Sequence, residues 1–395
     1  MNALAKLLDL SREEKIKRGL LYTPAEIAQQ PATWEATFSL FQKHRTGFAE
    51  FLAKAGFTDR ARPKPTVFLI GAGTSDYIGR SLANVLRRLW KCEVIAIPST
   101  SLLTHGEEWL VPGQRYVWIS FSRSGDSPEG VSVLEKALVN HPEIHHIIVS
   151  CNAAGRMIRC AAGKSQAFTV TLDDAVNDRG LAMTSSFSNM VVFGQCMAHV
   201  HSLPQYEAVL SRLVEAGKTF LPRAADAAAA LAAEPYARVC FLGSGALEGV
   251  AVESALKVLE LTAGKVLTMS ESAMGLRHGP MAALDKTTLL VAFLSSDETV
   301  SHYERDLLQE LRKKGLVKTQ IAVGGYSELP LDGLAERYLS PEIHTPVPDD
   351  CRPPVDIMFG QLLGLFFSLH WNLTPDGPSP NGAISRVVQN VRIYA

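Results

Sequence analysis

Tyr116-Val117-Trp118-Ile119-Ser120-Phe121-Ser122-Arg123-Ser124-Gly125-Asp126-Ser127, followed by Pro128 and a helical pattern as far as Leu138, decides how this chain is read. The apolar run predicts a strand, the next six residues a polar turn, and Pro128 is at home in the first position of a helix. A turn at the carboxyl end of a strand that opens a helix presents unpaired backbone N–H groups and the positive end of the helix dipole. Three serine hydroxyls in six residues add further donors, and the combination suits a phosphate. Capping alone would use one or two of these residues and leaves the cluster unexplained.

Working outward, short β-rich runs at 67–70, 93–97, 116–121, 146–150 and 167–172 alternate with helical stretches. That alternation predicts a parallel, doubly wound sheet whose strands are buried on both faces. The layout then recurs. Val67-Phe68-Leu69-Ile70-Gly71-Ala72-Gly73 is similar to Val239-Cys240-Phe241-Leu242-Gly243-Ser244-Gly245, and Gly73 and Gly245 lie 172 residues apart. At the same offset Phe121 and Ser124 fall on Phe293 and Ser296, so two anchors predict two copies of one fold. The expected organisation is an α/β chain with a helical N-terminal arm at 1–45, a first doubly wound domain at 46–210, a second at 211–375 and a tail at 376–395. In the arm, Thr23-Pro24-Ala25-Glu26 reads as a capping box, and a second helix start is expected near Thr33. The copies differ at their turns: the second has Gly245-Ala246-Leu247 and Leu294-Ser295-Ser296-Asp297-Glu298, poorer in hydroxyls and richer in acid, so the phosphate is expected in the first copy only.

The 395 residues exceed one core of usual size, and 47% apolar against 20% charged residues provide for ordinary globular cores. A formal net charge of −1 leaves no electrostatic footprint for nucleic acid or an anionic membrane. The six cysteines are scattered with no C-x-x-C pair, as expected of buried thiols in a reducing cytosol. The first residues lack the apolar segment of a signal peptide, and the apolar stretch 357–371 is too short to span a bilayer. A soluble cytoplasmic protein is expected.

Gly71-Ala72-Gly73-Thr74-Ser75 invites a dinucleotide reading, but the position three after Gly73 is Asp76 and no lysine follows, so neither the Rossmann fingerprint nor a P-loop is met. For acid/base chemistry the informative segment is 249–280. Glu253 and Glu260 lie seven apart, on one face of a predicted helix. Next comes Ser270-Glu271-Ser272-Ala273-Met274-Gly275-Leu276-Arg277-His278-Gly279-Pro280, a polar loop in which His278 is expected to be exposed. Taken alone, Glu260 could be a solvated residue and His278 a loop brace.

Together, Gly71–Ser75, Ser122–Ser127 and Arg277-His278-Gly279-Pro280 resemble the sugar isomerase (SIS) domain family, in the tandem arrangement of the isomerase half of glucosamine-6-phosphate synthase. The tail from Thr374 to Gln389 looks like that of the AgaS subfamily of galactosamine-6-phosphate deaminase/isomerases. The resemblance implies that Ser122, Arg123, Ser124 and Ser127 bind a sugar phosphate, with Gly73, Thr74 and Ser75 nearby and Arg386 in the tail. It implies that Glu260 moves a proton between C1 and C2, with Glu271 as a rival base, and that His278, contributed by a neighbouring subunit, opens the sugar ring. A homodimer or higher homo-oligomer with a shared active site follows from that implication, with no metal or organic cofactor required.

Two departures shape the expected reaction. The synthase begins with a glutaminase domain, whereas this chain begins Met1-Asn2, so ammonia from glutamine is not expected. The synthase's Schiff-base lysine aligns with Asn390, and no lysine follows Lys318. Chemistry without that lysine works in the degradative direction, converting galactosamine 6-phosphate to tagatose 6-phosphate and ammonium. Two alternatives stay open on sequence grounds: a ketose/aldose isomerase acting on a sugar phosphate without an amine, and a non-catalytic sugar-phosphate-binding regulator.

Overall fold

The computed structural model describes residues 1–324, 333–341, 347–388 and 391–394. Short helices α1 (Ala3–Leu8) and α2 (Arg12–Arg18) lead into α3 (Thr23–Lys54), a 32-residue helix. No second helix starts at Thr33, because α3 runs straight through Pro31. A proline there cannot donate to the carbonyl of Ile27, and the side-chain amide of Gln30 donates to that carbonyl instead, at 3.0 Å. The expected capping box is also replaced. The Asp376 carboxylate accepts the amides of Leu21 and Thr23 and the Thr23 hydroxyl, while Glu26 turns to the amides of Arg179 and Gly180.

The first sheet comprises β1 (Thr66–Gly71), β2 (Val94–Pro98), β3 (Tyr116–Ser122), β4 (His145–Ser150) and β5 (Ala167–Thr171), all parallel, in the order β2-β1-β3-β4-β5. Helices α4 (Thr74–Trp90), α5 (Ser99–His105), α6 (Pro128–Asn140), α7 (Arg156–Ala161) and α8 (Ser185–Ala198) accompany it. After α9 (Leu203–Ala232) the pattern repeats with β6 (Arg238–Gly243), α10 (Ala246–Leu261), β7 (Leu267–Ser272), β8 (Thr288–Leu294), α11 (Glu298–Lys314), β9 (Thr319–Gly324), β10 (Arg337–Leu339) and α12 (Pro353–His370). The second sheet is also parallel, and its order β10-β9-β8-β6-β7 is the first order read from the other end. The duplication extends to the backbone of the first turn in each copy. Gly73 has φ 55° and ψ −127°, Gly245 has φ 60° and ψ −123°, and each precedes its helix.

Contacts divide the chain into two units. One gathers residues 33–178, 185–208 and 384–395 around the first sheet; the other gathers 1–32, 179–184 and 209–383 around the second. In the first, Phe68, Ile70, Tyr116 and Trp118 pack beneath α5 and α6. His146 in β4 is part of that core: burial lowers its pKa to about 3, and its ring meets Trp118 edge-on at 5.6 Å. In the second, Leu290, Ala292 and Leu294 of β8 pack on Leu307, Leu308 and Leu311 of α11. The apolar stretch from 357 lies in α12, buried as far as Ser368, and no described helix is long and apolar enough to cross a membrane. All six cysteines are unpaired, four buried and two (Cys92 and Cys160) half-buried.

Candidate functional site

In the first-sheet unit, β1 and β3 are neighbours, and the chain leaves them toward opposite sides of the sheet, so the turns that follow them meet at a topological switch point. Gly73 caps α4, whose first turn is Thr74, Ser75 and Asp76, all buried. The Asp76 carboxylate pairs with Arg80 at 3.0 Å, but burial still raises its pKa. The second turn holds its own shape. The hydroxyl oxygen of Ser122 accepts the amide of Gly125 (3.0 Å), and that of Ser124 accepts the amide of Asp126 (3.1 Å). The Ser127 hydroxyl donates to Glu129. Gly125 sits at φ 66°, where a Cβ would come within 3.0 Å of the Gly155 Cα, so glycine suits both the conformation and the space.

The loop after β4 braces this turn. Asn152 donates to the Ser124 carbonyl at 2.8 Å, and Asp126 accepts the Arg156 amide at the start of α7. Asp126 thus faces a helix end, and the hydroxyls of Ser122 and Ser124 keep their hydrogens to donate to an anion. Arg123 is buried and donates to the carbonyl of Arg386 at 2.7 Å. Arg386 in turn donates to Asp178 O and Asn177 Oδ1, both at 2.8 Å, so the tail is tied to the turn through the Arg123 guanidinium and to the 177–178 segment through its own. Asp178 accepts the amides of Ser185 and Ser186 at the start of α8. Asn390 lies outside the described residues.

In the second-sheet unit, α10 carries Glu253 and Glu260 as expected, with Lys257 between them, a residue that the sequence did not single out. Lys257 is fully buried; its ammonium lies 2.5 Å from Glu260 Oε2 and 3.4 Å from Glu253 Oε1. Glu253 is buried too, whereas Glu260 keeps 23% of its side chain exposed. A buried ammonium shared by two carboxylates fixes the direction of both, and only the outer one can meet a substrate. The signal was present: a lysine four after one glutamate and three before another, on an otherwise apolar helix.

His278 ends a short 3-10 turn (Gly275–His278), is exposed, and makes no hydrogen bond among the described residues. Its neighbour Arg277 pins that turn to α11 through an ion pair with Glu310 at 2.7 Å. Glu271, the rival base, is half-buried at the end of β7, where Oε1 accepts the amide of Ser272.

The turn after β8 is poorer in hydroxyls than the first, as expected, and the hydroxyls it has are engaged. Ser295 and Ser296 donate both hydroxyls to Asp349, which also accepts the Ser296 amide at 2.8 Å. Glu304 of α11 accepts the Ser295 amide at 2.8 Å and the Ser244 hydroxyl at 2.7 Å. The chain's own carboxylates therefore engage this turn, whereas the hydroxyls of Ser122 and Ser124 donate to none among the described residues. Among the described residues no group of three His, Cys, Asp or Glu side chains is arranged to hold a metal ion.

No family model matches the chain. Individual proteins do. An Escherichia coli protein named D-galactosamine-6-phosphate deaminase AgaS is 34% identical over 374 residues, covering 94% of this chain and 95% of its own length. A Shewanella protein of the same name is 32% identical over 388 residues, covering 98% and 95%. The crystal structure of an Escherichia coli protein named tagatose-6-phosphate ketose/aldose isomerase superposes with a TM-score of 0.83 at 32% identity, over 94% of this chain and 96% of that one. A shared fold and identity above 30% along nearly the whole length place this chain in the AgaS family of sugar isomerase (SIS) domain proteins.

Proposed function

We propose that the protein is a deaminating isomerase that converts D-galactosamine 6-phosphate to D-tagatose 6-phosphate and ammonium. The observation that carries this reading is the Glu260 carboxylate, partly exposed and held at 2.5 Å by the buried Lys257 ammonium. The substrate rests on the relatives named as galactosamine-6-phosphate deaminases. In this reading the Ser122–Ser127 turn, with Gly73, Thr74 and Ser75, takes the 6-phosphate. Arg123 and Arg386 hold the tail beside the turn. Binding the remote phosphate then supplies positioning at the reacting carbons.

His278 protonates the ring oxygen while the anomeric hydroxyl loses its proton, giving the open aldehyde. Glu260 takes the C2 proton while the C2 ammonium gives up one of its own, which ends on the C1 oxygen, so that the aldehyde becomes an enol conjugated to a neutral C2 amine. Returning the proton to C1 gives a ketimine at C2, and water adds there to release ammonium and leave the ketose. Lys257 keeps the Glu260 oxygens aimed and stabilises the carboxylate before the first transfer and after the second. A base within hydrogen-bond reach contributes ~10²–10⁴-fold.

We further place the enzyme in the cytoplasm, as at least a homodimer in which His278 reaches a neighbour's site. Mixing Glu260→Gln with His278→Ala subunits, each inactive alone, is expected to restore part of the activity. The name of the Escherichia coli isomerase supports a second reading, interconversion of a ketose and an aldose without deamination. Ammonium and ketose release from galactosamine 6-phosphate separates the two: equal amounts of both products support the deaminase, and no ammonium overturns it.

A further inference from the structure

Helix α12 lies along α10, the helix that carries Glu253, Lys257 and Glu260, and two glycines bring the backbones together. A Cβ at Gly360 would come 2.2 Å from Ser254 Oγ, and one at Gly364 would come 2.9 Å from the Lys257 carbonyl oxygen and 2.8 Å from Leu261 Cδ1. With no side chain between them, a shift of α12 passes directly into the backbone of 254–261.

The other end of α12 is anchored by charge. Arg352, immediately before the helix, is buried; its guanidinium donates to the Leu294 carbonyl at 2.9 Å, to Asp349 at 3.0 Å and to Asp356 at 2.8 Å. Asp349 fills the Ser295–Ser296 turn at the end of β8, and Glu304 faces the same turn from α11. Three carboxylates and one guanidinium thus converge on a single turn. Buried ionic clusters of this kind add little net stability compared with apolar packing; what they fix is position.

We propose that Asp349 is a positioning residue for the reaction: by occupying the turn after β8 it sets the start of α12, and through Gly360 and Gly364 it sets where Lys257 holds Glu260. The inference rests on the reading of Glu260 as the proton shuttle. It assigns the second copy's turn a task that mirrors the first, with an internal carboxylate in place of a ligand.

The test uses Asp349→Asn and Ser296→Ala in the full-length protein, with Leu308→Ala as a control that loses thermal stability through the core of α11 and removes none of the anchor's polar side chains. The expected result is a kcat lowered about 10-fold or more, since misplacement by ~1 Å can cost ~10²-fold. KM for galactosamine 6-phosphate stays within about twofold, because the phosphate turn is untouched, and Leu308→Ala keeps its kcat at a temperature where all variants are folded. A kcat equal to that of the control overturns the proposal. A second readout needs no substrate: in protein labelled with ¹⁵N-lysine, the Lys257 ammonium resonance, identified by its absence in Lys257→Arg, moves in both anchor variants and not in the control. If the wild type releases no ammonium, the reading of Glu260 fails, and the resonance then decides the mechanical coupling by itself. An unmoved resonance overturns it.

Discussion

The turns after β3 and β8 occupy equivalent places in two sheets of the same strand order, and they end in different states. Both leave backbone N–H groups at the head of a helix, and such donors must find a partner somewhere. In the first turn the oxygens of Ser122 and Ser124 accept two amides, Asp126 is drawn away to cap α7, and no carboxylate among the described residues accepts those two hydroxyls. In the second, Asp349 and Glu304 take both amides and the hydroxyls of Ser244, Ser295 and Ser296. The duplicated turns thus differ through side chains alone: the chain's own carboxylates engage the second, and in the reading proposed here the first takes the substrate phosphate.

The comparison breaks most sharply if the first turn is given the second's solution. Ser124→Asp places a carboxylate where the phosphate would sit, and like charges at such distance cost several kcal/mol. Substrate affinity measured by calorimetry is therefore expected to fall at least ~100-fold, with the thermal midpoint little changed. Next in size is Lys257→Met. Removing the cation takes from the buried Glu253 the ammonium 3.4 Å away, so the denaturation midpoint should report a loss of about 3–5 kcal/mol together with loss of turnover.

Smaller, and specific to the second turn, is a dependence on pH. Burial pushes the pKa of Glu304 up to about 7 and that of Asp356 to about 6. Between the ordinary carboxylate range and those values the folded state binds more protons than the unfolded chain, so these groups make stability fall as pH rises from about 4.5 to about 7, and level off above. Glu304→Gln is expected to flatten this slope and to raise stability at pH 8 by about 2–3 kcal/mol relative to the wild type, as read from urea unfolding at several pH values. A wild-type curve that rises through this interval with no change in Glu304→Gln would contradict the assignment. The smallest effect is expected of Arg386→Ala, which removes contacts to Asn177 and Asp178 and leaves the turn in place: about 1 kcal/mol of stability and a KM change of a few-fold, read from melting curves and initial rates.

Much of this was legible in the sequence, because strand runs, glycine turns and the 172-residue repeat are local patterns set by backbone chemistry. The two sheets, the helix from Pro128 and the exposed position of His278 follow from them. What escaped was long-range. Nothing near Thr23 announces that Asp376, 353 residues on, caps its helix. Asp349 stands 53 residues from Ser296, so the second turn read as merely hydroxyl-poor when its hydroxyls were in fact engaged. Lys257 was hidden for another reason: a lysine on a helix is ordinarily a surface residue, and only burial between two carboxylates gives it a role.

The most direct test of the division of labour is calorimetric titration of galactosamine 6-phosphate into Glu260→Gln and Ser124→Asp, with ammonium assayed in the same solutions. The account predicts wild-type affinity with no ammonium for Glu260→Gln, and no measurable binding for Ser124→Asp. Undiminished binding to Ser124→Asp, or normal ammonium release by Glu260→Gln, would contradict it.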